Sequence, residues 1–238
     1  DSEYEEGFVK FVSQILKRDE NNDFLEAFFP FQQKIANYGI FNSLAQTLLK
    51  ITTPGVPDFY QGTELWDFSM VDPDNRRPVQ YEERLSFLQE IKRRSQTGME
   101  SLLSDLRATR HDGRMKLFLI TRALAARRAA LPVFEQGDYV PLQVEGSRAG
   151  NIMAFARSYE GRSAIAVIPR FLSALIEPDQ DPLGEAIWGD TALVLPENLQ
   201  GPWRESLTDY EIEDQRRLPI SKILQNFPVA LLIKGESQ

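Results

Sequence analysis

Between Thr53 and Pro78 the chain reads TPGVPDFYQGTELWDFSMVDPDNRRP, a run that mixes three kinds of side chain. Asp58, Glu64, Asp67, Asp72 and Asp74 supply hydrogen-bond acceptors, Arg76 and Arg77 supply donors, and Tyr60 and Trp66 supply flat apolar faces. A pyranose asks for this mixture, because it presents hydroxyls that both donate and accept and one C–H-rich face that stacks on an aromatic ring. Carboxylates and guanidinium groups hold hydroxyls at fixed angles, and Gly55 and Gly62 permit the tight turns that aim them. A structural reading stands beside this one. Asp72-Pro73-Asp74-Asn75 is a turn signal, and Arg76 or Arg77 can bridge to Asp72 or Asp74 simply to brace it. Spacing alone assigns no carboxylate as acid or nucleophile.

The rest of the composition narrows the chemistry by exclusion. The 238 residues contain no cysteine and a single histidine, His111, in the polar run Thr109–Gly113. A two-histidine metal site is therefore excluded and a Ser-His-Asp relay is not expected, since His111 is expected in an exposed turn. Neither a metal nor a cofactor is expected. A formal charge of −8 argues against a nucleic-acid partner, which requires a basic face. No apolar stretch approaches the roughly 20 residues that cross a bilayer, so no membrane partner is expected. The lack of cysteine fits a reducing cytoplasm. The chain opens on Asp1-Ser2-Glu3, without an initiator methionine and with an amphipathic segment beginning at once. That suggests a start inside a longer protein.

The elements that must position these groups change character along the chain. Phe8, Phe11, Val12, Ile15 and Leu16 recur at helical spacing, as do Phe24, Phe28, Phe31 and Ile35 after an N-cap signal at Asn21, Asn22 and Asp23. These aromatics are expected to pack in a core. Pro30 should kink or split the second helix, Gly39 should end it, and Phe41, Leu44, Ala45, Leu48 and Leu49 then mark a third. Residues 53–80 form a long loop whose aromatic content argues against disorder. Helical spacing returns with Leu85, Leu88 and Ile91, and again over Met115–Ala130, with Asp112 as cap and Pro132 as stop. Short β-branched and apolar runs follow. Residues 152–157 and 164–168 flank a Glu160-Gly161-Arg162 turn, and further strands are predicted at Ala192–Leu195, Trp203–Leu207 and Val229–Ile233.

Pro54–Val79, with the words DFYQGTELWD and DPDNRRPV, resembles the corresponding stretch of the maltooligosyltrehalose synthases, in the α-amylase (glycoside hydrolase 13) superfamily. Weaker resemblance continues through FEQGDYVPL, the Ala154–Arg157 and Val167–Arg170 runs, Trp188–Thr191 and Leu195-Pro196. Two departures stand out: Gln80 where an acidic residue often follows, and Asp209 where glycine is usual after Leu-Thr.

The resemblance implies an α+β chain. Residues 1–95 would be the helical end of a (β/α)8 barrel, with a short final strand and the substrate-side loop 53–80. Residues 96–138 would be a helical connector and 139–238 a C-terminal antiparallel β-sheet or sandwich. It also implies conversion of the reducing-end α-1,4 linkage of a maltooligosaccharide to an α,α-1,1 linkage, with the three catalytic carboxylates upstream of this chain and none within it. The implied partners are a maltooligosaccharide or other glucan and the missing N-terminal catalytic part of the same enzyme. Tyr60, Gln61, Glu64, Trp66, Asp72, Asp74, Arg76 and Arg77 would shape the reducing-end subsites. Two other readings remain open at the level of sequence. The β region could be a carbohydrate-binding module, or a non-catalytic accessory domain of a related enzyme, using Trp188 or Trp203. The chain could also be a helical interaction protein with a β cap, which would have no use for Pro54–Val79.

Overall fold

The computed structural model describes residues 1–18, 22–213 and 215–234. They form two compact units, residues 1–39 and residues 40–238.

In the first unit, α1 (Ser2–Ile15) is capped by the Asp1 carboxylate, which accepts from Tyr4 N. Asn22 caps α2 (Asp23–Thr52): its Oδ1 accepts from Leu25 N at 3.0 Å, and its amide donates to Ile15 O and Lys17 O. The Asn21 part of the expected cap lies outside the described residues. Contrary to expectation, the aromatics of this unit do not form a core. Phe8, Phe11, Phe31 and Ile35 are all more than half exposed and α1 buries no residue. Two short helical faces cannot enclose side chains of that size, so the stripes remain open.

The predicted split at Pro30 and end at Gly39 do not occur. One helix runs from Asp23 to Thr52 through both Pro30 and Gly39. A proline removes a single helical hydrogen bond and a glycine costs roughly 1 kcal/mol against alanine; the thirty-residue helix absorbs both.

In the second unit the later part of α2 buries Phe41, Leu44, Leu48 and Ile51. Then come α3 (Tyr81–Thr97), α4 (Met99–Ala108), α5 (Arg114–Ala129) and α6 (Leu131–Glu135). His111 is exposed in a 3-10 turn, as expected. The Asp112 carboxylate accepts from Arg114 N and so serves the start of α5. That helix stops at Ala129, just before Pro132 as expected, and Pro132 falls in the first turn of α6, where its missing N–H has no helical acceptor to lose. Where α3, α4 and α5 meet, Arg94 and Arg114 share Glu90 and Asp105.

The remainder is antiparallel. A six-stranded sheet takes the order β1-β3-β4-β9-β6-β7, from β1 (Asp138–Pro141), β3 (Ile152–Tyr159), β4 (Arg162–Pro169), β6 (Trp203–Glu205), β7 (Tyr210–Ile212) and β9 (Ala230–Lys234). A second sheet joins β2 (Gln143–Glu145), β5 (Ala192–Val194) and β8 (Arg217–Pro219). Short helices α7 (Glu185–Trp188) and α8 (Ile220–Ile223) lie in the connections. The β3–β4 hairpin turns on Glu160 and Gly161, both at positive φ, the two-residue turn that matches strand twist. Asp209, the departure from glycine, is itself left-handed at φ 60°, and its carboxylate pairs with Arg122 and Arg204. Trp188 and Trp203 are fully buried, so neither offers a face to a glucan; the reading of this region as a binding module through those residues is withdrawn. Among the described residues no helix is long and apolar enough to cross a membrane.

Candidate functional site

The loop at residues 53–80 is held at both ends by arginines that lie outside it. Its start is the C-terminus of α2, where the last carbonyls lack helical partners and the dipole favours cations. Arg127, on α5, donates to Ile51 O at 2.7 Å and to Gly55 O at 2.9 Å. Arg157, on β3, donates to Thr52 O at 3.3 Å and to Gly137 O at 2.7 Å. Both side chains are buried. Burial lowers both guanidinium pKa values, and the positive charge of Arg127 adds to the effect at Arg157.

At the far end Arg84, on α3, donates to Gln80 O (3.1 Å), Gly62 O (2.9 Å) and the Glu64 carboxylate (3.1 Å). The same Glu64 oxygen accepts from Gly62 N at 3.0 Å. Gly62 sits at φ +93°, where a side chain would be strained, and a Cβ there would also touch Val79 at 3.4 Å. One guanidinium thus ties residues 62 and 80 together.

The middle of the loop rests on the 3-10 turn Arg110–Asp112. Trp66 Nε1 donates to Arg110 O at 2.8 Å. Gly113, at φ +82°, lets Leu65 and Trp66 approach so closely that a Cβ there would lie 3.0 Å from Trp66 N.

The outer part braces itself. Asp67 accepts from Ser69 N and Ser69 Oγ, and these bonds hold its carboxyl below the usual range. Asp72 pairs with Arg76. Asp74 accepts from Met70 N at 2.7 Å, and Arg77 donates to Ser69 Oγ at 3.0 Å and to Asp74.

Two clefts flank this frame. Gln61, Trp66 and Arg77 converge on one of about 370 Å³, together with Asp67, Phe68 and Arg84. Gln61 is oriented there by Tyr81, whose hydroxyl donates to Gln61 Oε1 at 3.0 Å. The cleft offers a carboxylate, two guanidinium groups, three carboxamides and two aromatic surfaces, the set that holds hydroxyls around an apolar ring face. Tyr60 points instead into a second cleft of about 410 Å³, with Asp58, Phe59, Lys50 and Lys116. Glu64, Asp72, Asp74 and Arg76 line neither cleft, and each is engaged in bonds within the frame.

The sequence-predicted set is therefore divided into lining residues (Gln61, Trp66, Arg77, with Tyr60 in the neighbouring cleft) and bracing residues. Arg84, Lys50 and Lys116 were not anticipated: they sit in ordinary helical patterns, Arg84 meets Glu64 across 20 positions and Lys116 meets Leu65 across 51, and no local spacing marks them. The short strand expected before the loop does not form; among the described residues none is a strand between Thr53 and Gln80. A barrel strand takes its hydrogen bonds from neighbouring strands, and this chain brings none alongside.

No protein-family model matches the chain. It is 33% identical over 196 residues to a Mycobacterium tuberculosis protein named as a maltooligosyl trehalose synthase, a match that covers 82% of this chain and 21% of that protein. The protein of that name from a second strain matches equally. The fold superposes on maltooligosyltrehalose synthase from Arthrobacter ramosus with a TM-score of 0.74 and 29% identity, over 99% of this chain and 27% of that one. A further crystal structure of a maltooligosyl trehalose synthase gives a TM-score of 0.67 at 25% identity. The chain thus spans about a fifth to a quarter of the proteins it matches.

Proposed function

Because the chain belongs to the maltooligosyltrehalose synthase family, we propose that it is the C-terminal portion of a cytoplasmic enzyme that converts the reducing-end α-1,4 linkage of a maltooligosaccharide into an α,α-1,1 linkage. In this reading residues 1–95 complete a (β/α)8 barrel, with the loop at 53–80 on the face where such barrels carry their active sites. Residues 96–138 connect it to the β domain at 139–238. The carboxylates that attack the anomeric carbon and protonate the leaving oxygen, in the two-step retaining manner, come from residues outside this chain.

What this chain contributes is position. The released glucose must stay, turn, and be attacked through its own anomeric hydroxyl before water arrives. Gln61 and Arg77 supply hydrogen bonds for such a sugar, and Trp66 supplies an apolar face. The frame of Glu64, Asp72, Asp74 and Arg76 keeps these groups in place, and Tyr60 borders the neighbouring cleft. The convergence of Gln61, Trp66 and Arg77, sixteen residues apart in sequence, on one cleft is the observation that carries this reading.

Two measurements test it. The isolated chain, given maltopentaose, should yield no trehalosyl product by chromatography. In the full-length enzyme, Arg77→Ala should raise the ratio of free glucose to trehalosyl product, because a loosely held glucose is lost to water. An unchanged ratio removes Arg77 from the site.

A further inference from the structure

The second cleft is lined by two ammonium groups and one carboxylate, that of Asp58. Lys116, half-buried on α5, and Lys50, near the end of α2, line the same space of about 410 Å³. Neither ammonium has an ion-pair partner among the described residues, although Asp58 also borders the cleft. Lys116 Nζ has one weak acceptor, Leu65 O at 3.3 Å, and lies 5.8 Å from the centroid of the Trp66 ring, which leaves donors of its three for a ligand. Lys50 Nζ lies over the Phe59 ring, 4.0 Å from its centroid.

Buried charges are normally paired. Here burial first, and the charge of Lys50 second, hold the Lys116 pKa below that of an ordinary lysine, while Glu64 and Asp67 offset this only in part. Around the two cations stand groups that suit a hydroxylated molecule: Ser43 and Thr47 one turn apart on α2, Gln46 beside them, and Thr63 and Tyr60 from the loop.

We propose that this cleft binds a small oxyanion, a phosphate group either free or carried on a sugar, seated between Lys50 and Lys116. An anion there would supply the missing counter-charge and accept the unused donors in charge-assisted bonds. The site is distinct from the cleft assigned to the glucan, whose substrate is neutral, and it stands whether or not that assignment holds.

The test uses this chain with its lysines 13C-methylated, a change that keeps their charge. The methyl signals are followed by NMR during titration with inorganic phosphate and, separately, with glucose 1-phosphate, at ionic strength held constant with sodium chloride. Saturable shifts of the Lys116 signal are expected, weakened by about tenfold or more in Lys50→Gln, as the loss of one charged contact implies. Because Lys50 is exposed, that variant should fold normally. The Lys50 signal read in Lys116→Gln supplies the converse measurement. Tighter binding of glucose 1-phosphate than of phosphate identifies a sugar phosphate as the ligand, and equal or weaker binding identifies the free ion. Shifts that do not saturate, or that keep the same midpoint in both variants, overturn the proposal.

Discussion

The loop and the sheet region use the same residue types for opposite ends. Trp203 is fully buried, and its indole N–H finds no acceptor. Trp188 is equally enclosed, with its N–H given to Pro182 O. Trp66, by contrast, is half-buried: its N–H is anchored to Arg110 O while its ring contributes to a cleft wall. The arginines repeat the contrast. Arg157, on β3, is buried against main-chain carbonyls, whereas Arg76 and Arg77 are exposed and paired with close neighbours in the sequence. In the sheet region these side chains make the fold; in the loop they are held so that their surfaces stay available.

Five substitutions test that contrast. Trp203→Ala should cost about 3–5 kcal/mol in urea unfolding, the usual loss for a buried tryptophan, while Trp66→Ala should cost about 2 kcal/mol or less, since only part of its ring leaves water. Equal losses would erase the distinction. Arg157→Met should cost about 2–3 kcal/mol, because it strands the buried carbonyl of Thr52 and the part-buried one of Gly137, both of which had a charged donor.

Arg84→Met comes next, at about 1–2 kcal/mol. Its sharper readout is hydrogen exchange, which should quicken across residues 61–80 and stay unchanged in the sheets. Unaltered exchange would mean that the loop holds itself. The smallest change belongs to Arg76→Ala. An exposed pair such as Asp72 with Arg76 contributes about 0.5 kcal/mol or less, so the thermal midpoint should barely move. A large drop would make Arg76 part of the framework.

Local signals carried much of this. Glu160-Gly161 between two apolar runs specifies its hairpin without help from the rest of the chain, and the turn-forming Asp72–Asn75 with its neighbouring arginines folds as a self-braced unit. The bracing reading of Arg76 and Arg77 and the lining role of Arg77 are both visible in the structure, because one guanidinium has donors enough for both. What the sequence hid was non-local. Arg84 meets Glu64 across 20 positions and Arg157 meets Thr52 across 105. Nothing in the helical or strand periodicity around either arginine records those partners. The apolar stripes of α1 misled for a related reason: periodicity reports that a face is apolar, not that anything lies against it. Likewise Pro30 and Gly39 are breakers by intrinsic preference, and a preference of a few kcal/mol yields within a thirty-residue helix.

The anchoring of residues 53–80 has a consequence for how such a segment can change. Three of its tethers, from Arg127, Arg157 and Arg84, end on the main-chain oxygens of residues 51, 52, 55 and 80. Every amino acid carries such an oxygen. The side chains between residues 65 and 79 are thus free to vary without loosening those moorings, and the segment behaves as an exchangeable cassette whose socket is written elsewhere in the chain.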